Sequence, residues 1–389
     1  MQTPSPLQLL EALIRCPSVT PAEGGALSFI ESILKPAGFE VLRPVFSEPG
    51  TADVENLYAR YGTGRPFLLF AGHTDVVPPG DVSSWKHEPF AAVIENGEIY
   101  GRGTTDMKGG IACMMAAALR FLQANPNFGG SIGFLITGDE EGVAINGSVK
   151  LLEWAHKRGE RFDYCILGEP TNPETLGEMV KIGRRGSLTG SLVVHGKQGH
   201  VGYPQLADNP IPGMLRLLQS LIDQPLDRGT EHFSHSNLEI TTIDVGNPAI
   251  NVIPSQARAV FNIRFSDLWN PQSLEEELRC RLNTAAGNTV SFTATFEPTN
   301  AVAFLTEPDA FVATLQQAIL EETGIKPVLS TTGGTSDARF IKNYCPVIEF
   351  GLVGKTMHQI DERVNVADLE RLTVIYEKIA NAYFSSCHP

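Results

Sequence analysis

Long apolar runs are missing from this sequence. The longest, Ile111 to Leu119, falls far short of the roughly 20 residues a membrane-spanning helix needs, so no membrane partner is expected. The opening residues lack a basic start, and Glu11 and Arg15 interrupt the apolar stretch, so they do not read as an export signal. Cysteine is sparse as well. The six residues (Cys16, Cys113, Cys165, Cys280, Cys345 and Cys387) are scattered, with no CxxC pair. Reduced, mostly buried thiols in a cytoplasmic protein are expected, not disulfides. Positive charge is in deficit too: 30 Lys and Arg face 44 Asp and Glu, a formal charge of −14. Nucleic acid and anionic membranes need a cationic footprint, so neither is expected as a partner. A small local patch of arginines is still compatible with that balance. Gly101 and Gly103 form only a lone GxG and no GxxxxGK[ST] occurs, which argues against nucleotide binding. Nucleophile-elbow serine hydrolysis is not expected either.

What is present points to a folded α/β protein. With 389 residues, 42% hydrophobic and 19% charged, the chain has material for two or three domain-sized units. Ser5 and Pro6 read as the N-cap and first residue of an opening helix. Four short runs follow, Phe67 to Ala71, Ile132 to Ile136, Tyr164 to Leu167, and Val347 to Phe350, continuously apolar but for Glu349 in the last. Such runs predict strands buried on both faces of a largely parallel sheet. Helical patterns near 108–123, 147–157 and 366–384 alternate with them, which predicts an α/β sandwich.

The stretch from about 183 to 296 differs. Leu188, Leu192 and Val194 alternate with Ser187, Thr189 and Ser191. Ala259, Phe261, Ile263 and Phe265 alternate with Arg258, Asn262 and Arg264. Val290, Phe292, Ala294 and Phe296 alternate with Thr289, Ser291, Thr293 and Thr295. This is a sheet with one covered and one polar face. Asn209-Pro210 opens a helix carrying Ile211, Leu215, Leu218 and Ile222. Ser273, with Glu276 completing a capping box, opens another carrying Leu274, Leu278 and Leu282. With a strand near 238–246 the order is β-α-β-β-α-β, the ferredoxin-like order. The expected architecture is therefore a discontinuous α/β sandwich, 1–181 and 296–389, with an inserted ferredoxin-like α+β domain, 182–295.

Reactive side chains follow the buried strands. His73-Thr74-Asp75 follows the first run, Glu140-Glu141 the second, Glu169 the third, and His358 comes shortly after the fourth; Asp106 precedes a helix. In open α/β sheets sites gather at the carboxyl ends of strands, so these groups should converge. Each is weak alone: an HxD, an EE pair or a lone histidine is ordinarily a surface feature. Together they suit two zinc ions, which take imidazole and carboxylate ligands. His73 and Glu169 are expected on one ion, Glu141 and His358 on the other, and Asp106 between them. Three carboxylates and a hydroxide balance two dications, which makes a buried site tolerable. Glu140 is left over as a non-ligating carboxylate, suited to act as general base. Asp75 could accept the other imidazole N–H of His73 and fix its tautomer.

The runs Ala71 to Pro78, Gly101 to Gly110, Thr137 to Gly142, Gly168-Glu169-Pro170, Gly183 to Gly190, Val194 to Pro204 and Ser330 to Phe340 resemble the aminoacylase/carboxypeptidase-type di-zinc hydrolases, over essentially the whole chain. The resemblance implies a zinc-hydrolase sandwich whose inserted domain serves for dimerisation and as a lid; the insertion itself predicts a hinge near 180–184 and 294–298 that closes on substrate. It implies two zinc ions per subunit, with cobalt able to substitute, the ligands named above, Asp106 as the bridge, Glu140 as the base and Asp75 as the group orienting His73. It also implies a homodimer in which His200 reaches the partner's active site, and a cis peptide at Asp106-Met107. The implied reaction is hydrolysis of N-succinyl-LL-2,6-diaminopimelate. That substrate carries three carboxylates, which suit arginine forks. Arg184, Arg185 and Arg264 are the candidates, with one of the adjacent pair expected to touch substrate. Ser187, Tyr203, Asn251, Gly334 and Thr335 are lesser candidates, the Gly333 to Ser336 loop offering backbone N–H groups. His195 is read as structural, His232 and His235 as loop residues, and Trp85 and Phe90 as packing. The rival substrate is N-acetylornithine, whose acyl group lacks the succinyl carboxylate; the arginine-rich 183–186 run disfavours it, as it does peptidase or general aminoacylase activity. A metal-binding dimer without catalysis is the rival from another class, and the presence of Glu140 argues against it.

Overall fold

Four strands expected from continuous apolar runs lie side by side in the computed structural model, which describes residues 3–386. Ser131–Thr137, Phe67–His73, Tyr164–Leu167 and Val347–Glu349 run parallel, in that order, at the centre of an eight-stranded sheet. Every residue in them is buried except half-buried Tyr164. Such continuous burial requires cover on both faces. Helix Lys108–Ala124 packs on Phe67–His73, and Ser148–Lys157 on Ser131–Thr137. The sheet is mixed, not simply parallel. Leu57–Tyr61 and Glu40–Leu42 extend one side antiparallel; Met179–Lys181 pairs antiparallel with Val347–Glu349 on the other side, with Val328–Ser330 beyond it.

The start of Lys108–Ala124 is pressed against the sheet. A Cβ on Gly110 would stand 2.3 Å from the carbonyl oxygen of Gly168. Glycine there lets the helix that follows Asp106 come down on the backbone leading to Glu169. A GxSxG spacing does occur, at Gly129-Gly130-Ser131-Ile132-Gly133. It is no nucleophile elbow: Ser131 opens a strand, is fully buried, and donates to the carbonyl oxygen of Gly64 at 2.7 Å.

The chain divides into two compact units. The first comprises 1–182, 306–330 and 336–389. The second comprises 183–305 and 331–335, a wider stretch than the expected 182–295. Its four-stranded antiparallel sheet runs Asn237–Asp244, Gln256–Phe265, Gly186–His195, Ser291–Phe296. With helices Pro210–Ile222 and Pro271–Ala286 this is the ferredoxin-like order. Leu188, Leu192, Val194, Phe261, Ile263 and Phe265 line the covered face, with Leu274, Leu278 and Leu282 packed over it. Gly190 stands opposite Phe261, whose ring occupies the space a Cβ there would need, 2.3 Å away.

Two helix readings need correction. Asn270, not Ser273, is the N-cap of the second helix. Its side chain accepts from the Ser273 N–H while Ser273 Oγ accepts from the Asn270 N–H, so the reciprocal box sits one turn earlier. Helix Pro210–Ile222 buries Met214, Leu217, Leu218 and Leu221 and leaves Leu215 and Ile222 exposed. This helix is apolar on more than one face, so spacing alone did not define the buried stripe. Among the described cysteines, Cys113, Cys165 and Cys345 are buried, Cys16 is half-buried and Cys280 exposed, all as free thiols. Cys387 lies outside the described residues. Among the described residues no helix is long and apolar enough to cross a membrane.

Candidate metal centre

Parallel strands deliver the site residues from their carboxyl ends. His73 is the last residue of Phe67–His73, Glu140 and Glu141 lie just past Ser131–Thr137, and Glu169 lies just past Tyr164–Leu167. Asp106 sits in the turn before Lys108–Ala124, where the Asp106-Met107 peptide is cis. His358 arrives from the loop after Val347–Glu349 with φ 61°. A non-glycine residue in that left-handed region is uncommon and marks a backbone held in place by its surroundings.

The Asp106 carboxylate lies between the two histidines. Its Oδ1 is 3.1 Å from His73 Nε2 and its Oδ2 is 3.0 Å from His358 Nε2. Glu169 Oε1 stands 3.8 Å from His73 Nε2, and Glu141 Oε1 stands 2.8 Å from His358 Nε2. Donor atoms of His73, Asp106 and Glu169 fall within 4.8 Å of one another, as do those of Asp106, Glu141 and His358 and those of His73, Glu140 and Glu141. Two imidazoles and three or four carboxylates at that spacing are a donor set for two divalent cations of the zinc class.

Asp75 acts on the main chain. Its carboxylate accepts from the Glu140 N–H at 3.1 Å and the Glu141 N–H at 3.0 Å. His73 Nδ1 lies 2.8 Å from the Asp75 carbonyl oxygen and 3.6 Å from its carboxylate. The backbone carbonyl, not the side chain, is the partner at hydrogen-bond distance from the ring. Sequence reasoning assigned that bond to the carboxylate because it could not see the competing backbone donors.

Charge in the site is poorly balanced by its own residues. Burial pushes the Glu140 carboxyl up to about 8, with Asp337, Glu141 and Asp106 adding to the rise and His73 opposing it. Burial and Asp106 hold Glu169 well above the usual range. Burial raises Asp75 to about 6. Burial would also raise Asp106, but hydrogen bonds from His358 and His73 outweigh it and hold that carboxyl below its ordinary value. Those with Asp106 and Glu141 lift His358 to about 10. Buried carboxylates crowded in this way call for added positive charge.

The remaining predicted site residues all belong to the second unit. His200 is exposed, and its Nδ1 accepts from the Gly202 N–H at 2.9 Å. Arg184 is buried and donates from Nη1 to the carbonyl oxygen of Gly334 at 3.2 Å. Arg185 donates to Asn237 Oδ1 at 2.8 Å, while its buried Nε has no partner. Arg264 lies opposite Ser187 across the strand pair, on the face away from the apolar core, and half-buried. Tyr203 and Asn251 are exposed, and so is Gly334; Thr335 is half-buried. His195 is exposed and pairs with Thr293 Oγ1, His232 and His235 lie in a loop, and Trp85 is buried under the Arg102 guanidinium.

Sequence reasoning missed several buried polar groups around the site. Asp139 accepts from the N–H groups of Ala144, Ile145 and Asn146 and so ties down the loop after Glu140-Glu141. Asp337 is buried, bonded to Ser148 Oγ, and leaves Oδ1 unpaired. Glu362 is buried beside the Asp106 turn. Acidic residues in loops read as solvated, and nothing in their spacing says otherwise.

The model of peptidase family M20/M25/M40 matches residues 69–382. The succinyl-diaminopimelate desuccinylase of Methylobacterium nodulans is 68% identical over 98% of this chain and 97% of its own length. That of Beijerinckia indica is 59% identical over 97% and 98%. Among solved structures, the M20 family metallo-carboxypeptidase Sso-CP2 of Sulfolobus solfataricus superposes with a TM-score of 0.76 at 19% identity, covering 98% of this chain and all of that one. The YXEP protein of Bacillus subtilis, a dinuclear metal binding peptidase from the M20 family, gives 0.70 at 16% identity over 98% of each chain.

Proposed function

The chain belongs to peptidase family M20/M25/M40, and on that premise we propose that it hydrolyses the amide bond of N-succinyl-LL-2,6-diaminopimelate. The products are succinate and LL-2,6-diaminopimelate, which feeds lysine and cell-wall precursor synthesis. The observation that carries the reading is the Asp106 carboxylate, with one oxygen toward each of two imidazoles. Similarity to desuccinylases over nearly the full chain supports the substrate.

His73 and Glu169 would hold one zinc ion, Glu141 and His358 the other, with Asp106 shared and cobalt able to substitute. Bound there, the pair would polarise the scissile carbonyl and acidify a water molecule. Glu140 takes the proton of the attacking water on a carboxylate oxygen and returns it to the leaving amine. In the metal-free protein burial raises that carboxyl to about 8. Asp75 keeps Glu140 and Glu141 in place through their backbone N–H groups.

The second unit serves as lid and dimerisation domain. Exposed Leu206, Leu215, Ile222 and Ile243 supply apolar surface for a second copy of the chain. The Gly202 N–H fixes His200 with its proton on Nε2 when the ring is neutral, so His200 of the partner subunit can donate to the developing oxyanion. Arg264 and one of Arg184 and Arg185 bind substrate carboxylates, with Ser187, Tyr203, Asn251, Gly334 and Thr335 as polar contacts.

The test is direct. Zinc-loaded protein is incubated with N-succinyl-LL-diaminopimelate and, separately, with N-acetylornithine, and amide loss is followed. The succinyl compound should be preferred by at least about 100-fold, since charge-assisted hydrogen bonds contribute about 1.5–3 kcal/mol each. Preference for acetylornithine would keep the metal site and discard the substrate. Two bound ions without turnover of either compound would favour a non-catalytic metal-binding dimer.

A further inference from the structure

We propose that Glu362 is a positioning residue that fixes the separation of Asp106 and His358, and through it the fit of the metal pair; this rests on the reading that those two side chains hold metal. Glu362 is completely buried. Its Oε1 accepts from the N–H of Thr105 at 2.8 Å and of Asp106 at 3.1 Å. Its Oε2 accepts from the Gly103 N–H at 2.9 Å and from Arg102 Nη1 at 2.8 Å. The carbonyl oxygen of Glu362 accepts in turn from the Gly101 N–H at 2.9 Å. One residue thus receives four of the donors in the turn that presents Asp106, and a fifth from an arginine of that turn.

The same residue stands four positions after His358. Arg102 Nη1 also donates to the carbonyl oxygen of Gln359 at 3.2 Å, beside His358. Thr105 Oγ1 and Thr356 Oγ1 both donate to the carbonyl oxygen of Arg363. The turn carrying Asp106 and the loop carrying His358 are therefore joined through one carboxylate, one guanidinium and the Thr105 hydroxyl. The guanidinium is held over the Trp85 ring at 5.0 Å.

A carboxylate is needed for a physical reason. Turn 103–106 points three main-chain N–H groups the same way, and none of the three has a sheet partner. Buried N–H groups left unpaired are costly, and only a group with two acceptor oxygens and no donor can take three of them together with a guanidinium. Arg102 neutralises Glu362, so the joint adds no net charge beside a centre that must keep its own balance. Because Asp106 offers one oxygen to each imidazole, a small shift of either loop opens one of the two contacts. Outer partners of metal ligands act in this way.

The experiment titrates metal-free wild type and Glu362→Gln with cobalt(II), reading heat and the visible absorption spectrum, and then measures kcat and KM with zinc. The amide keeps the volume but turns a donor toward the Gly103 N–H and Arg102. At least one ion should bind about 10–100-fold more weakly, with an altered spectrum. The kcat should fall by a similar factor, with KM within about threefold. A folded Glu362→Gln with wild-type cobalt affinities and spectrum overturns the proposal, whatever its activity. If that variant does not fold, Arg102→Met decides, because it keeps the three backbone bonds and removes the link to Gln359. It should weaken cobalt binding by at least about threefold; unchanged affinity and spectrum again overturn the proposal. Wild type that binds no cobalt overturns both readings. Wild type that binds two ions without cleaving the succinyl compound overturns the functional reading alone.

Discussion

The two units hold opposite kinds of unbalanced charge. In the first, carboxylates crowd a buried site, and burial drives Glu140 to about 8 and Glu169 well above the ordinary carboxylate range. In the second, burial pushes the guanidinium of Arg264 down, and burial with the nearby Arg264 does the same to Arg185. Neither arginine has a carboxylate partner among the described residues. A protein optimised for stability alone would not carry either arrangement, because buried charge is tolerated only when paired. The first unit therefore presents a site short of positive charge, and the second presents two guanidiniums with no carboxylate partner among the described residues.

The sharpest way to break that comparison is to remove the cations. Chelation should abolish turnover, and zinc or cobalt should restore it. Metal at a thousandfold excess over its Kd should add about 4 kcal/mol of stability, visible as a rise in thermal midpoint. No stabilisation by either ion would end the account of the first unit. Glu140→Gln comes next: both ions should remain bound in calorimetry while kcat falls by about 10²–10⁴-fold. A rate near wild type would mean that another group takes the proton.

A smaller effect is expected in the second unit. Arg264→Met should lower kcat/KM for the succinyl compound by about 10–100-fold, the equivalent of about 1.5–3 kcal/mol for a charge-assisted hydrogen bond. Activity toward acetylornithine should change much less. Thermal stability should rise by about 1–3 °C, because a partly desolvated cation without a partner is replaced by an apolar side chain. A variant that loses stability and leaves kcat/KM intact would make Arg264 structural, and the symmetry between the units would fall.

How much of this was legible in the sequence follows from the kind of signal each part leaves. The four central strands were readable because burial on both faces produces continuous apolar runs, as in Phe67 to Ala71. The ferredoxin-like order was readable because a one-sided sheet alternates strictly, as in Gly186–His195. The clustering of His73, Asp106, Glu141, Glu169 and His358 was legible because sites gather where parallel strands end. Three things were not. Helix Pro210–Ile222 carries apolar residues outside its buried stripe, so periodicity misplaced Leu215 and Ile222. The bond from Asp75 to the Glu140 and Glu141 backbone depends on main-chain direction, which side-chain identity does not encode. Glu362 sits in the largely polar stretch Gln359 to Arg363, broken only by Ile360, and is buried only because a turn more than 250 residues away in sequence, at 103–106, turns its N–H groups inward.

The smallest effect isolates what makes a carboxylate functional here, by comparing Glu140 with Asp227 of the second unit. Asp227 accepts from the N–H groups of Gly229 and Ser236, from the hydroxyls of Ser236 and Ser266, and from Trp269 Nε1. Burial raises its carboxyl, but these donors outweigh that and hold it below its ordinary value. A group depressed in the folded state contributes stability above its unfolded pKa, and that contribution is lost as pH falls through the folded value. Asp227→Asn should therefore cost about 1 kcal/mol at pH 7, a modest figure because the site is partly solvated. The gap from wild type should shrink below about pH 4, where the unfolded carboxyl takes up its proton. Glu140 has the opposite sign. Its raised pKa favours the protonated form in the folded state, so at pH 7 its charge opposes folding. In metal-free protein Glu140→Gln should raise the urea midpoint at pH 7, and the gain should vanish below about pH 4.5, where wild-type Glu140 is protonated in both states. Urea curves at pH 7 and pH 4 for both variants separate the two cases. Shifts of the same sign would mean that Glu140 is as well satisfied as Asp227, and that the first unit is not waiting for cations.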